Sequence, residues 1–271
     1  MDFGISTRCF GTALLTPELL ERLRRKEFSA IELHGLLPGF DYHNRSVVRS
    51  IARWFADAEL SAPSLHLPIE RPGENILSPR PMERQRALDE LKRCLEFCDL
   101  MPVRFAVLHL GEPGREFDPS VFEHAYAAIA AIQSFAGVRL LLETLSNDIA
   151  TFERIQEFRN AAQIPNIGIC YDTGHGEMDG QPDAIHLDDN SGNGDDHLSP
   201  FEGTRNWPAL IERIVLSDFD GPMILEAQHD LLDKASDSRD RLRDLFDEAR
   251  SSIEEFRLKY RLPAPRLEDE E

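Results

Sequence analysis

The sequence predicts an α/β fold, a single-domain (β/α)8 TIM barrel, and three observations carry the prediction. Eight short apolar runs alternate with amphipathic stretches along the chain. Most of those runs are apolar throughout instead of alternating with polar residues, as parallel strands buried on both faces are. The length, 271 residues, lies within the range of one such barrel. A doubly wound open sheet would alternate in the same way, but Gly4 and Gly11 do not supply the Gly-rich first turn it usually carries for a nucleotide.

The runs read as strands cover residues 3–6, 30–33, 63–67, 105–110, 138–143, 167–171, 184–187 and 223–226. The first helix opens at Thr16-Pro17-Glu18, a capping residue followed by proline at the first helical position. Further helical patterns run through 44–58, 81–100, 119–135, 148–160, 207–216 and 236–258. Ser146-Asn147-Asp148 and Asn206-Trp207-Pro208 read as helix entries. Between the sixth and seventh strands, residues 174–182 leave room only for a short connection. Residues 1–260 form the barrel domain in this reading. Residues 261–271, with Pro263, Pro265 and the acids Glu268, Asp269, Glu270 and Glu271, form a tail expected to be disordered.

Composition narrows the function classes. No run of eighteen apolar residues occurs, so no membrane-spanning segment is expected. The N-terminal MDFGISTRCF lacks the basic flank and long apolar stretch of a secretory signal. Cys9, Cys94, Cys98 and Cys170 are few and scattered, which suits a reducing compartment, with the cytoplasm as the default. Cys94 and Cys98 lie one helical turn apart, but no second Cys or His pair follows them, so they read as ordinary helix cysteines. A net charge of −19 with four lysines disfavours nucleic acid as a partner, although arginines are plentiful.

Residues able to bind a metal gather at the C-terminal ends of the strands. The third strand ends in His66 and the fourth in His109, and the fifth ends in Glu143. The sixth ends in Asp172 with His175 three residues on, the seventh in His186 with Asp195 and His197 in its loop, and the eighth in Glu226. Barrel strand ends converge on one rim, where active sites of this architecture lie. Singly, a strand-end histidine is more often structural, and either glutamate could pair with an arginine inside the protein. Six consecutive strands ending this way call for a divalent cation at the mouth, in one to three copies. Mixed oxygen and imidazole ligands favour zinc, manganese, iron or cobalt over calcium; magnesium fits if only the carboxylates and one histidine bind.

At these residues the chain resembles the xylose isomerase-like superfamily, the barrel shared by sugar (or sugar-phosphate) isomerases and epimerases and by endonuclease IV. The stretches that carry the resemblance are HLP at 66–68, HLG at 109–111, ETL at 143–145, DTGH at 172–175, HLDDN at 186–190, DDHLSPFEGT at 195–204 and Glu226. The isomerase branch implies one divalent metal on Glu143, Asp172, His186 and Glu226. It also implies Glu143 and Glu226 as the paired acid and base that act through an enediolate, and His175 as a substrate-binding residue. The endonuclease branch implies three zinc ions on His66, His109, Glu143, Asp172, His175, His186, Asp195, His197 and Glu226, and phosphoester hydrolysis. Phe201 departs from the endonuclease pattern, which has glycine there.

The expected partner is a small carbohydrate or phosphoester. A homo-oligomer is compatible with the sequence, which names no interface. His34 ends the second strand and reads equally as a substrate-binding or a structural residue. Arg115 could meet a phosphate or simply face solvent, and Gly192-Asn193-Gly194 could let its loop close over substrate or form a plain turn. That glycine stretch lacks the lysine and hydroxyl of a P-loop. His43, His124 and His229 read as surface residues.

Overall fold

Each strand in the computed structural model is short, from three residues to six, and nearly every strand position is buried. The structure describes residues 3–69, 75–111, 118–133, 137–192, 195–227 and 232–260. The acidic tail, Arg115, Asn193, Gly194 and His229 lie outside them. The strands are β1 (Phe3–Ser6), β2 (Ile31–His34), β3 (Ser64–His66), β4 (Phe105–Leu108), β5 (Arg139–Glu143), β6 (Ile167–Asp172), β7 (Ala184–Leu187) and β8 (Met223–Leu225). Each pairs in parallel with the next, and β8 pairs back with β1 to close the barrel. Among the described residues, no helix is long and apolar enough to cross a membrane.

Helices cover the outside and bury one apolar stripe each: α1 (Pro17–Arg25), α2 (Arg45–Asp57), α3 (Pro81–Leu95), α4 (Pro119–Gln133), α5 (Phe152–Ala162), α6 (Trp207–Leu216) and α7 (Leu232–Tyr260). In α2, Val48, Ile51 and Phe55 face inward at helical spacing. The Thr16 side chain accepts a hydrogen bond from Leu19 N and Pro17 follows it, so α1 starts where the sequence indicates. One helix entry and one helix end differ from expectation. Asn147 does not cap α5; its side-chain oxygen accepts from the backbone N of Ile149 (2.9 Å) and Ala150 (2.7 Å), closing a turn, and Thr151 caps the helix instead. α3 ends at Leu95 and tightens into a 3-10 turn over Glu96–Asp99, so Cys98 sits on that turn.

The core divides into two layers because strand side chains alternate. One layer lies between sheet and helices, and a smaller cluster of Phe105, Val107, Leu141, Cys170 and Ala184 fills the barrel interior. That parity positions the site. Two residues further on from these interior positions stand His109, Glu143, Asp172 and His186, so each points into the same lumen at its C-terminal end.

The described part of the loop from 188 to 206, which carries Gly192, is pinned by hydrogen bonds. Asp189 and Leu198 exchange two backbone hydrogen bonds of 2.8 and 2.7 Å. The buried Asp189 carboxylate accepts from Arg205 N (3.0 Å), Phe201 N (3.2 Å) and Trp207 Nε1 (2.9 Å). Arg205 in turn donates to the carbonyls of Thr173 and Gly176. Hydrogen bonds to a charged group contribute about 1.5–3 kcal/mol each, and removing their shared acceptor leaves buried donors unpaired. Asp189→Ala is therefore expected to lower stability by about 3 kcal/mol or more in urea unfolding; a change under about 0.5 kcal/mol would show that the loop is held elsewhere.

Candidate active site

Glu143, Asp172, His186 and Glu226 are fully buried at the ends of β5, β6, β7 and β8. Each offers one ligand atom, and these atoms lie within 4.8 Å of one another. His186 stands at the centre, its Nδ1 2.6 Å from Glu226 Oε2 and 3.1 Å from Glu143 Oε1. The approach to Glu226 Oε2 is short but misaligned, so that oxygen has no hydrogen-bond partner, and neither has Asp172 Oδ2. Buried carboxylate oxygens without donors are costly unless a cation meets them. The donor set fits a divalent metal on this ground.

On one side of this group, His66 and His109 crowd Glu143. Their Nε2 atoms lie 2.9 and 3.0 Å from Glu143 Oε2 and 3.2 Å from each other. On the other side, His175, Asp195 and His197 form a further group of metal-capable spacing, with Nε2 of each imidazole 2.9 Å from Asp195 Oδ1. Asp172, Asp188 and His197 make another, and Asp188 Oδ2 is 2.8 Å from His197 Nδ1. All nine residues singled out in the sequence thus stand in one contiguous cluster. His34 is 3% exposed with its ring stacked on His66 at 4.3 Å, and neither ring nitrogen has a hydrogen-bond partner. His43 pairs with Glu90 on the surface at 2.8 Å.

Close approach of backbone to carboxylate explains the glycine of DTGH. Gly174 N donates to Asp172 Oδ1 (2.7 Å) and to Asp188 Oδ1 (2.8 Å), and a Cβ there would lie 2.8 Å from both Asp188 carboxylate oxygens.

Electrostatics couple the groups. Burial opposes ionisation of Glu143, but His109 and His186 outweigh it and hold the carboxyl well below its ordinary range. Burial likewise raises Glu226, and His186 and Arg8 overcome it. Burial, with Asp172 nearby, pushes Asp188 up to about 8. Burial lowers His175 and His197, yet Asp172 with Asp195, and Asp188 with Asp195, raise them to about 12 and about 11. Protons and metal ions compete for such nitrogens, so in the metal-free chain protons supply the missing positive charge.

Three participants escaped the sequence reading. Glu32 lies inside β2, fully buried, with Oε2 3.0 Å from His186 Nε2 and accepting from Ser64 Oγ at 2.7 Å. Arg8 follows β1 and reaches both groups, with Nη1 3.4 Å from Glu226 Oε1 and Nη2 2.9 Å from His197 Nε2. Asp188 is the third. Glu32 follows from strand parity once β2 is placed, two residues before His34, and scanning strand ends alone overlooks it; Arg8 lies on the 3-10 turn Thr7–Phe10 after β1, past the reach of strand alternation.

The family model described as xylose isomerase-like TIM barrel matches residues 20–245. The chain belongs to that family. Its sequence is 25% identical over 182 residues to y4fM of Sinorhizobium fredii, an uncharacterised protein, and the match covers 58% of each chain. This part of the xylose isomerase-like barrel therefore spans little more than half of that relative. An L-ribulose 3-epimerase superposes with a TM-score of 0.74 at 20% identity, covering 94% of this chain and 97% of the other. The IOLI protein with a bound zinc atom superposes with a TM-score of 0.73 at 17% identity, covering 92% and 99%. These likenesses are of fold.

Phe201, where the endonuclease pattern has glycine, keeps a glycine-like backbone in this xylose isomerase-like barrel, with φ +75°. Its ring packs on Trp207 at 5.3 Å and under the Arg241 guanidinium at 3.8 Å, contacts that offset the strain. A bulky side chain thus stands on a backbone that favours glycine.

Arg8 is 15% exposed and faces an excess of carboxylates. Burial lowers its pKa, but Glu226 and Glu143 raise it further, so it stays charged. Arg8→Met is expected to destabilise the metal-free protein by about 2 kcal/mol, less than a fully buried pair would. Urea unfolding in chelator checks this, and an unchanged midpoint would show that imidazolium protons suffice.

Proposed function

We propose that this chain is a divalent-metal-dependent isomerase or epimerase acting on a small sugar or sugar phosphate. One observation carries the reading: the two glutamates Glu143 and Glu226 belong to a single buried four-residue group and both approach His186 Nδ1, at 3.1 and 2.6 Å. The fold likeness to an L-ribulose 3-epimerase supports it.

Glu143, Asp172, His186 and Glu226 would hold the metal, in the manner of mixed oxygen and imidazole sites for zinc, manganese or cobalt. When bound, the cation supplies Lewis-acid stabilisation for negative charge on the sugar oxygens. The remaining chemistry belongs to the chain. One glutamate removes the proton from the carbon beside the sugar carbonyl, breaking that C–H bond while the electron pair moves onto the carbonyl oxygen. The other glutamate returns a proton to the same carbon from the opposite face, which inverts it, or to the former carbonyl carbon while the hydroxyl proton of its neighbour passes to the enediolate oxygen, which isomerises the sugar. His175 and Arg8 stand at the edge of the group, where a hydroxyl or phosphate of the substrate can meet them. The four free cysteines suit a reducing compartment, and we assign the chain to the cytoplasm.

A second reading, a multinuclear zinc phosphoesterase acting on a small molecule, is favoured by one observation. His66 has metal-capable spacing with Glu143 and His186, beside His109 at 3.0 Å from Glu143, and His175, Asp195 and His197 form a further group of such spacing. Single-metal chemistry assigns His66, His109, His175, Asp195 and His197 no ligand role.

Incubating the metal-loaded enzyme with a panel of ketoses and their phosphates in deuterium oxide separates the two. Deuterium incorporated at the carbon next to the carbonyl, read by mass spectrometry, is expected. It should fall about 10²–10⁴-fold in Glu143→Gln and in Glu226→Gln, the span of acid–base catalysis. Absence of exchange with every ketose, together with phosphate release from a phosphomonoester or diester panel, would overturn the isomerase in favour of the hydrolase.

A further inference from the structure

The alternation that turns Glu143 and His186 into the lumen also turns Glu32 there, two residues before the end of β2. A fully buried carboxylate in a barrel interior otherwise filled by Phe105, Val107, Leu141, Cys170 and Ala184 is expensive, and evolution of the core alone gives it no purpose. Its surroundings are specific. Oε2 accepts from Ser64 Oγ at 2.7 Å and lies 3.0 Å from His186 Nε2, while Oε1 has no hydrogen-bond partner. The Ser64 bond holds the carboxylate in place against the imidazole.

We propose that Glu32 is a positioning residue that sets the tautomer of His186, accepting a hydrogen bond from Nε2–H so that the Nδ1 lone pair faces Glu143, Asp172 and Glu226. The inference rests on the reading of those four residues as a cation site. A neutral imidazole has one N–H and one bare nitrogen. If the proton sat on Nδ1, it would be donated to Glu143 Oε1 or Glu226 Oε2, at 3.1 and 2.6 Å, and the lone pair would point away from the site. Two carboxylates on the Nδ1 side pull the proton toward the wrong nitrogen. A third carboxylate, Glu32, opposes that pull from the Nε2 side, and with a cation on Nδ1 the imidazole proton would stay on Nε2, facing Glu32. Carboxylates behind metal-binding histidines raise ligand basicity in the same arrangement, and their loss typically weakens metal binding 10–100-fold. Glu32 touches no substrate in this scheme; it acts through His186.

The test pairs a metal readout with one that needs no metal. Zinc affinity is measured by competition with a chromophoric chelator for the natural chain, Glu32→Gln and Ser64→Ala. Glutamine keeps the shape and an acceptor but removes the charge, so a loss of about 10-fold or more is expected with the melting temperature retained. Ser64→Ala, which frees the carboxylate, should lose less and in the same direction. Separately, ¹H–¹⁵N spectra of the metal-free chain labelled at histidine should show a His186 Nε2–H signal displaced by its hydrogen bond to the carboxylate, a displacement lost in Glu32→Gln. An unprotonated Nε2 in the natural chain, or equal zinc affinity in all three proteins, would overturn the role. A Glu32→Gln that only lowers the melting temperature, with both readouts unmoved, would reduce Glu32 to a structural pair. If the natural chain takes up no zinc, the functional reading fails while the ¹⁵N result still decides the assignment.

Discussion

Negative charge confined in the barrel mouth is the constraint around which the rest of this molecule is arranged. Glu32, Glu143, Asp172, Asp188 and Glu226 are all at most 1% exposed, within reach of a few imidazoles and one guanidinium. Taking an ion out of water costs several kcal/mol even after the protein relaxes, whereas a whole domain is stable by about 5–15 kcal/mol. Several such ions left to themselves would exceed that margin, and Asp188, pushed up to about 8, relieves part of it by keeping its proton near neutral pH. The chain must therefore bring in positive charge, from protons on His175 and His197, from Arg8, or from a metal. The unpartnered oxygens of Asp172 and Glu226 mark where protons and Arg8 leave the demand unmet.

Why so many ionisable groups meet at all is a consequence of closing eight parallel strands. With a side-chain period of two, the residue that ends one strand and the residue that ends its neighbour fall on the same inner rim, as the pairing of Asp172 with His186 and of His34 with His66 illustrates. Helices on the outside carry ordinary amphipathic stripes and could be exchanged for others without touching the chemistry. The loops contribute differently. Asp189 ties the chain after β7 to Trp207 and Arg205, and so presents Asp195 and His197 from a fixed platform.

This division explains what the sequence made legible. Short runs such as Ala184–Leu187 and helix entries such as Thr16-Pro17 are local signals, and both stand where they were read. His109, Glu143, Asp172, His186 and Glu226 were visible because a strand-end position is a sequence position. Glu32 was not, because its meaning depends on facing His186 across the lumen, a relation between β2 and β7 that no local pattern encodes. The misplaced start of α5 has a similar origin: Asn147 can cap a helix or close a turn, and only the surrounding backbone decides which. Phe201 is a different case, a bulky residue on a backbone that favours glycine, held by Trp207 and Arg241 in contacts that only the fold brings together.

The central claim is that the four-residue group around His186 holds a divalent cation. Counting metal ions per chain by plasma mass spectrometry, in protein purified without added metal and again after reconstitution, tests it most directly when the natural chain is measured beside Glu143→Gln and His109→Ala. The account predicts about one ion per chain, lost in Glu143→Gln and retained in His109→Ala. Two or three ions, with one lost in His109→Ala, would contradict the single-metal isomerase and favour the hydrolase; no ion under any condition would contradict the claim itself.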